Sequence, residues 1–130
     1  GGSEDAKGYG GFSTRVVLPE DVRFLGKQGT VIPQRTSVGE SPWMDVTATY
    51  SPDGHKSGMT ILCHPSLPGF PQRWILRNSR SMQNPVYPGR ESVQLSSKQP
   101  LVLRYRLVLH RGEVTPKQIS AWQEEYGRQK

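Results

Sequence analysis

The chain has 130 residues, of which 33% are hydrophobic, 14 are glycine and 11 are proline. This length fits one domain, and this composition favours short strands joined by turns over a helical bundle. The formal net charge is +6, but the basic residues are dispersed and accompany no RNA-binding or zinc-finger motif, which argues against nucleic-acid binding. The single cysteine, Cys63, excludes an internal disulfide and a multi-thiolate metal site. No apolar run approaches the ~20 residues of a membrane span, so we expect no membrane partner.

The N-terminal half predicts short strands separated by glycine and proline. The predicted strands are residues 13–18, 22–25 and 30–32, followed by a polar loop over 34–42. Residues 43–50 are rich in β-branched and aromatic side chains, and a Pro- and Gly-containing turn at 51–54 leads into a strand over 57–64. These last two strands are predicted to form a hairpin.

The second half of the chain predicts fewer elements. Residues 65–71 contain three prolines and form a loop, because proline donates no ladder hydrogen bond. A short strand is predicted over 72–77 and a long loop over 79–90.

Residues 101–112 alternate with a period of two, which is typical of a strand. One face carries Leu101, Leu103, Tyr105, Leu107 and Leu109 and is predicted to join the core. The other face carries Arg104, Arg106 and His110, and is predicted to meet water, a ligand or another layer of protein.

A C-terminal helix is predicted over 115–128. Thr115 is placed as N-cap, Pro116 in the first turn and Gln118 at the capping-box position. Ile119, Trp122 and Tyr126 then follow on one face, which is expected to dock on the sheets.

We therefore predict an all-β fold, a single antiparallel β-sandwich over residues 1–130 with one C-terminal α-helix. It would be the C-terminal part of a longer protein, with residues 1–6 a cloning or loop remnant.

The loop after His64 is the most suggestive place for a binding site, because loops at a sandwich rim often carry function. Arg73, Trp74 and Arg77 follow it. An aromatic ring can stack on a sugar face while guanidinium groups bind hydroxyls or a carboxylate. Structural alternatives stay open: His64 could bond only to loop backbone, and Trp74 could be plain core.

Arg104, Arg106 and His110 form a second candidate row for ligand binding. The structural alternative pairs the two arginines with acids such as Asp45 or Glu91. A metal site would need both His64 and His110 to meet a carboxylate, and nothing in their spacing demands it, so we predict no metal and no cofactor.

No catalytic signature is present, so whether the protein is an enzyme stays open. Ser66 lacks the G-x-S-x-G context of a serine hydrolase. Adjacent strand residues such as Cys63 and His64 point to opposite faces and cannot act together as nucleophile and base.

Several segments occur in an order that resembles a known family. They are Lys7-Gly-Tyr-Gly-Gly-Phe, Trp43-Met-Asp, Gly58-x-x-Ile-Leu-x-His-Pro-Ser66, Trp74, Asn84-Pro and Leu103-Arg-Tyr-Arg-Leu-Val-Leu-His-Arg-Gly112. Together they resemble the C-terminal part of the PmoA-like family of bacterial proteins. The resemblance implies an all-β sandwich, a longer parent protein and a bacterial setting rich in carbohydrate-processing genes, with no established activity. In the family pattern, an acidic residue stands at the position of Cys63 and Asn at the position of Leu67. This departure lowers the expectation of catalysis.

We therefore expect a carbohydrate-related protein that binds or processes a sugar at the sandwich rim. The alternative is a non-catalytic assembly module that contacts a partner protein, a second copy or a missing N-terminal portion through its basic surface or sheet edge. The compartment is not determined; a periplasmic or extracellular location would require a signal peptide upstream of residue 1.

Overall fold

The computed structural model describes residue 8 and residues 10–34 and 36–130; the predicted remnant at 1–6 lies outside the described residues. Seven strands form two antiparallel sheets, and one helix follows them. The strands are β1 (Arg23–Gly26), β2 (Gly29–Val31), β3 (Trp43–Thr49), β4 (Lys56–Cys63), β5 (Trp74–Arg77), β6 (Met82–Pro85) and β7 (Tyr105–Arg111), and the helix is α1 (Pro116–Gly127). The prediction of an all-β fold with one C-terminal helix is confirmed.

The larger sheet has the order β2-β1-β3-β4-β7, and the smaller sheet pairs β5 with β6. The predicted central hairpin is confirmed, with Trp43 opposite Leu62 and Thr49 opposite Lys56. Gly58 in β4 permits a close approach, because a Cβ atom there would lie 2.6 Å from the Val46 carbonyl oxygen.

The two faces of the larger sheet contribute to different core clusters. Met44 and Ile61 share one cluster with Trp74 and Leu76 of the smaller sheet. The alternate residues of the same strands, such as Trp43 and Leu62, share a second cluster with Ile119 and Tyr126 of α1. Because side chains alternate across a strand, residues of the smaller sheet and of the helix share clusters with opposite faces of β3 and β4.

Two predictions about the smaller sheet and the segment beside it are wrong. Residues 82–85 were predicted as loop but form β6, in which Gln83 and Asn84 are fully buried. Asn84 is stabilised there by hydrogen bonds with the backbone of Gly10 and Phe12. Residues 13–18 do not form a strand; a single bridge joins Thr14 to Gln83. The side chains of 13–18 alternate between exposed and half-buried, as along an extended backbone, but only Thr14 has a ladder partner.

β7 begins at Tyr105, four residues later than predicted. On the face predicted to join the core, Leu103 and Tyr105 pack against the cluster that contains Trp74, whereas the next two leucines do not. Leu107 and Leu109, expected in the core, are 46% and 79% exposed. The opposite face lies under the helix: Val108 packs against the cluster that contains Ile119. A sequence period of two shows that the two faces of a strand differ in polarity. It does not show which face is covered by other parts of the protein.

The helix has the predicted capping box. The Thr115 hydroxyl accepts a hydrogen bond from the Gln118 amide, and the Gln118 side chain accepts one from the Thr115 amide. Ile119 and Tyr126 are buried and Trp122 is half-buried against the same cluster, which confirms the predicted docking face.

Among the described residues, no helix combines the length and apolarity needed to cross a membrane.

Candidate functional site

A cleft of about 1010 Å³ opens where the end of α1 meets the proline-rich 65–71 loop and the turn between β1 and β2. Its apolar lining residues are Pro42, Pro65, Phe70 and Pro71. The polar lining residues are Lys27, Gln28, Glu40, Gln123, Glu124 and Arg128. This combination of an apolar wall with a few convergent polar groups is typical of small-molecule sites.

Gln123 is the polar residue of the cleft that lies deepest, with 8% of its surface exposed. Its amide nitrogen donates to the Cys63 carbonyl at 2.7 Å, at the end of β4. Its carbonyl oxygen is buried and accepts no hydrogen bond from the described residues. A buried acceptor without a donor costs free energy, so a ligand or water that donates to it is favoured.

His64 lies beside this cleft and connects β4 to the end of the helix. The Ser66 amide donates to Nδ1 at 3.1 Å, so Nε2 carries the proton and donates to the Gln129 carbonyl at 2.7 Å. The ring also meets Tyr126 edge-on, with centroids 5.1 Å apart. His64 therefore holds the residues after α1 against the loop, and its role here is structural.

Ser66 Oγ lies 2.7 Å from the same Nδ1 atom. Imidazole Nδ1 offers one in-plane lone pair, and the Ser66 amide already approaches it. The pair thus closes a local turn, and its geometry does not favour a nucleophile with a general base. Burial raises the pKa of the Cys63 thiol far above its ordinary range, so this neighbour is not a nucleophile either.

Arg104 and Arg106 come together with His64 at the end of the helix. Arg104 Nη1 lies 3.2 Å from His64 Nε2. Arg106 lies over the Tyr126 ring, 4.5 Å from its centroid, and donates to the Gln129 side chain. The predicted pairing with Asp45 or Glu91 is wrong: the cations of this corner contact aromatic and amide groups instead.

His110 belongs to a separate, buried polar cluster. Its Nε2 lies 2.6 Å from Asp45 Oδ1, and its Nδ1 lies 3.0 Å from the Gly112 carbonyl oxygen. The Asp45 carboxylate also accepts hydrogen bonds from the Thr60 and Thr47 hydroxyls, each at 2.6 Å. Since both ring nitrogens lie within hydrogen-bond distance of acceptor atoms, neither nitrogen is free for a ligand.

The remaining predicted site residues lie on the smaller sheet. Trp74 is fully buried and its indole N–H donates to the Ser41 carbonyl at 2.8 Å, so its ring presents no open face for stacking. Arg73 Nε donates to the Ser37 hydroxyl at 3.1 Å. Arg77 Nη1 donates to the Gln34 carbonyl at 2.7 Å. Arg73, just before β5, thereby contacts Ser37, and Arg77, at the end of β5, contacts Gln34.

Sequence reasoning missed the cleft residues Phe70 and Gln123. One signal was present for Gln123: it follows Ile119 by four residues and precedes Tyr126 by three, so it is a polar residue on the docking face of the helix. Such a residue either satisfies a backbone group or borders a cavity, and Gln123 does both.

Comparisons with known proteins give one result. Neither the curated proteins nor the solved structures provide a significant match. The sequence model of DUF6807, described as a family of unknown function, matches residues 2–123. This match spans nearly the whole chain, from the N-terminal segment into the helix, and the chain therefore belongs to the DUF6807 family.

Proposed function

We propose that this protein binds a carbohydrate in the cleft between α1 and the 65–71 loop. The observation that carries the proposal is that Gln123 lines the cleft while its buried carbonyl oxygen lacks a donor among the described residues. Sugar hydroxyl groups are donors as well as acceptors, so a hydroxyl can satisfy this oxygen.

The walls of the cleft match the two kinds of surface that a sugar presents. The Phe70 ring and the three prolines offer apolar contact to the C–H face of a pyranose. Glu40 and Glu124 accept hydroxyl hydrogen bonds, whereas Lys27 and Arg128 donate. The two acids and two bases in the lining balance in charge, which favours a neutral sugar over a strongly charged ligand.

The predicted residues His64, Arg104 and Arg106 support the cleft from behind. His64 and Arg106 fasten Gln129 and Tyr126 to the sheet, and Arg104 lies against His64. Gln129 and Tyr126 flank the cleft residues Gly127 and Arg128. The three predicted residues are therefore positioning residues in this proposal, and the ligand contacts come from the cleft lining.

The arrangement of the two sheets and the choice of ligand class are also part of the proposal. We infer that the two sheets form a sandwich, because Trp74 and Leu76 share a core cluster with Met44 and Ile61 of the larger sheet. The resemblance to the PmoA-like family, with its carbohydrate-processing setting, supports the choice of ligand class.

Screening neutral monosaccharides and soluble polysaccharides by saturation-transfer NMR tests the proposal. We expect at least one sugar to bind, and Phe70→Ala to weaken its binding roughly tenfold through lost ring contact. Glu124→Gln should also weaken binding, whereas Glu125→Gln is a matched control, since both carboxylates are exposed but only Glu124 lines the cleft. Absence of binding across the screen, or equal effects of the two glutamate variants, would contradict the proposal.

A further inference from the structure

The outer edge of β7 has the features of a surface for strand addition. β7 is the last strand of the larger sheet, with β4 on one side and no strand on the other among the described residues. Sheet edges leave backbone donors and acceptors unpaired, and they therefore bind further strands unless they are blocked.

The hydrogen-bond pattern shows which residues of β7 face outward. The His64 amide donates to the Arg104 carbonyl and the Gly112 amide donates to the Lys56 carbonyl, so the even-numbered residues bond to β4. Inward and outward groups alternate in an antiparallel pair. The amides and carbonyls of Leu107 and Leu109 therefore point away from the sheet.

The side chains of the same two residues are also uncovered. Leu107 is 46% exposed and Leu109 is 79% exposed. Both lie on the face whose inner part belongs to the core, since Leu107 is opposite Ile61 and Leu109 is opposite Met59. An added strand would pair with their backbone and cover their side chains at the same time.

The charge of β7 indicates the chemistry of the partner. Arg104, Arg106 and Arg111 lie along this strand, and no carboxylate of the described residues forms an ion pair with them. A second copy would bring two such rows of arginine together, and each copy carries a net charge of +6, which disfavours self-association. Acidic side chains on the added strand would instead be attracted.

We propose that β7 accepts an added strand from a partner polypeptide in which apolar and acidic residues alternate. The apolar side chains cover Leu107 and Leu109, and the acidic ones face the row that contains Arg104 and Arg106. The backbone of Leu107 and Leu109 forms the ladder hydrogen bonds, as in other cases of strand addition to a sheet edge. This proposal uses the outer edge of β7 and none of the cleft lining, and its test requires no sugar.

Amide hydrogen exchange followed by NMR tests the proposal directly. In the free protein, the amides of Leu107 and Leu109 should exchange fast, and those of Arg106 and Val108 slowly. The probe is a capped synthetic peptide that alternates glutamate with valine, and its counterpart has lysine in place of glutamate. The glutamate peptide should slow exchange at Leu107 and Leu109 by roughly tenfold or more, and the lysine peptide should not.

Two variants make the test specific. Leu109→Pro removes an outward N–H without touching the bonds to β4, and Leu107→Lys adds charge at the edge; both should abolish protection by the glutamate peptide. Val102→Lys is the control, because Val102 is 59% exposed but lies outside β7. Slow exchange at Arg106 and Val108 verifies folding, and Leu107→Lys decides the outcome if the proline variant does not fold.

Four results would overturn the proposal. They are protection of Leu107 and Leu109 in the free monomer, equal protection by both peptides, protection that survives in Leu107→Lys, and a dimer, detected by light scattering, whose formation protects these amides. The last result would assign the edge to a second copy of the chain.

Discussion

The buried pair of Asp45 and His110 offers the sharpest test of what stabilises the larger sheet. Asp45 is fully buried, and its carboxylate accepts hydrogen bonds from His110, Thr60 and Thr47. Asp45→Asn keeps the shape of the side chain but removes its charge. The threonine hydroxyls can rotate to suit the amide, whereas the His110 Nε2 atom loses its charged partner.

The size of the expected loss of stability follows from the burial of Asp45. Removing one partner of a buried ion pair costs about 3–5 kcal/mol, since the remaining charge stays in a low-dielectric site. A domain is stable by only about 5–15 kcal/mol, so we expect Asp45→Asn to remove a large part of the stability. For a chain of this length each kcal/mol corresponds to about 3–5 °C, so the melting temperature should fall by roughly 10–20 °C.

Urea and thermal denaturation, followed by circular dichroism, measure this change. The matched control is Asp53→Asn, because Asp53 Oδ2 lies 3.7 Å from His55 Nε2 while the two side chains are 62% and 84% exposed. Solvent screens this exposed pair, so the control should barely shift the transition. If Asp45→Asn shifts the midpoint no more than Asp53→Asn, the stabilising role of the buried pair is refuted.

Three further predictions concern single side chains. Burial raises the pKa of Tyr105 from 10.0 to about 12, so the folded state holds the phenol proton more tightly and stability should decline as pH rises from about 10 to about 12. Tyr105→Phe should reduce this decline in urea titrations at about pH 8 and about pH 11, and an unchanged decline would contradict the assignment. Cys63 should not react with a thiol reagent until the protein unfolds, because its thiol is buried and protonated; rapid labelling of the native protein would disprove this. Thr115→Ala should cost about 1 kcal/mol in urea denaturation by removing the cap bond to Gln118, and Thr115→Ser, which keeps the hydroxyl, should retain most of the stability.

Local patterns in the sequence predict the elements that depend on neighbouring residues. The capping box at Thr115 and Gln118 marks the start of α1, and the turn at 51–54 marks the hairpin of β3 and β4. Both signals act over a few residues, because a cap satisfies amides of the same first turn and a tight turn fixes the register of its own strands.

β6 depends on contacts that no local pattern contains. Its residue Asn84 is buried because it bonds with the backbone of Gly10, 74 positions earlier in the chain. Asn and Gln have low strand propensity, so Gln83 and Asn84 read locally as loop. Only the partner segment converts them into satisfied, buried residues of a sheet.

The location of the cleft illustrates the same limit for function. Trp74 was predicted as a binding residue from its type, because an indole ring can stack on a sugar face. In the structure, the Ser41 carbonyl accepts a hydrogen bond from its N–H, and the core covers its ring. His64 was predicted as a candidate ligand-binding residue, with a purely structural role as the alternative, and its bond to the Gln129 carbonyl agrees with that alternative. The helix that it supports brings Gln123 to the cleft. A polar side chain on an apolar docking face costs free energy unless it is satisfied, and only the Gln123 amide nitrogen has a partner among the described residues. In the proposed function, Gln123 therefore marks this cleft, rather than the buried Trp74, as the place where a hydroxyl-bearing ligand would bind.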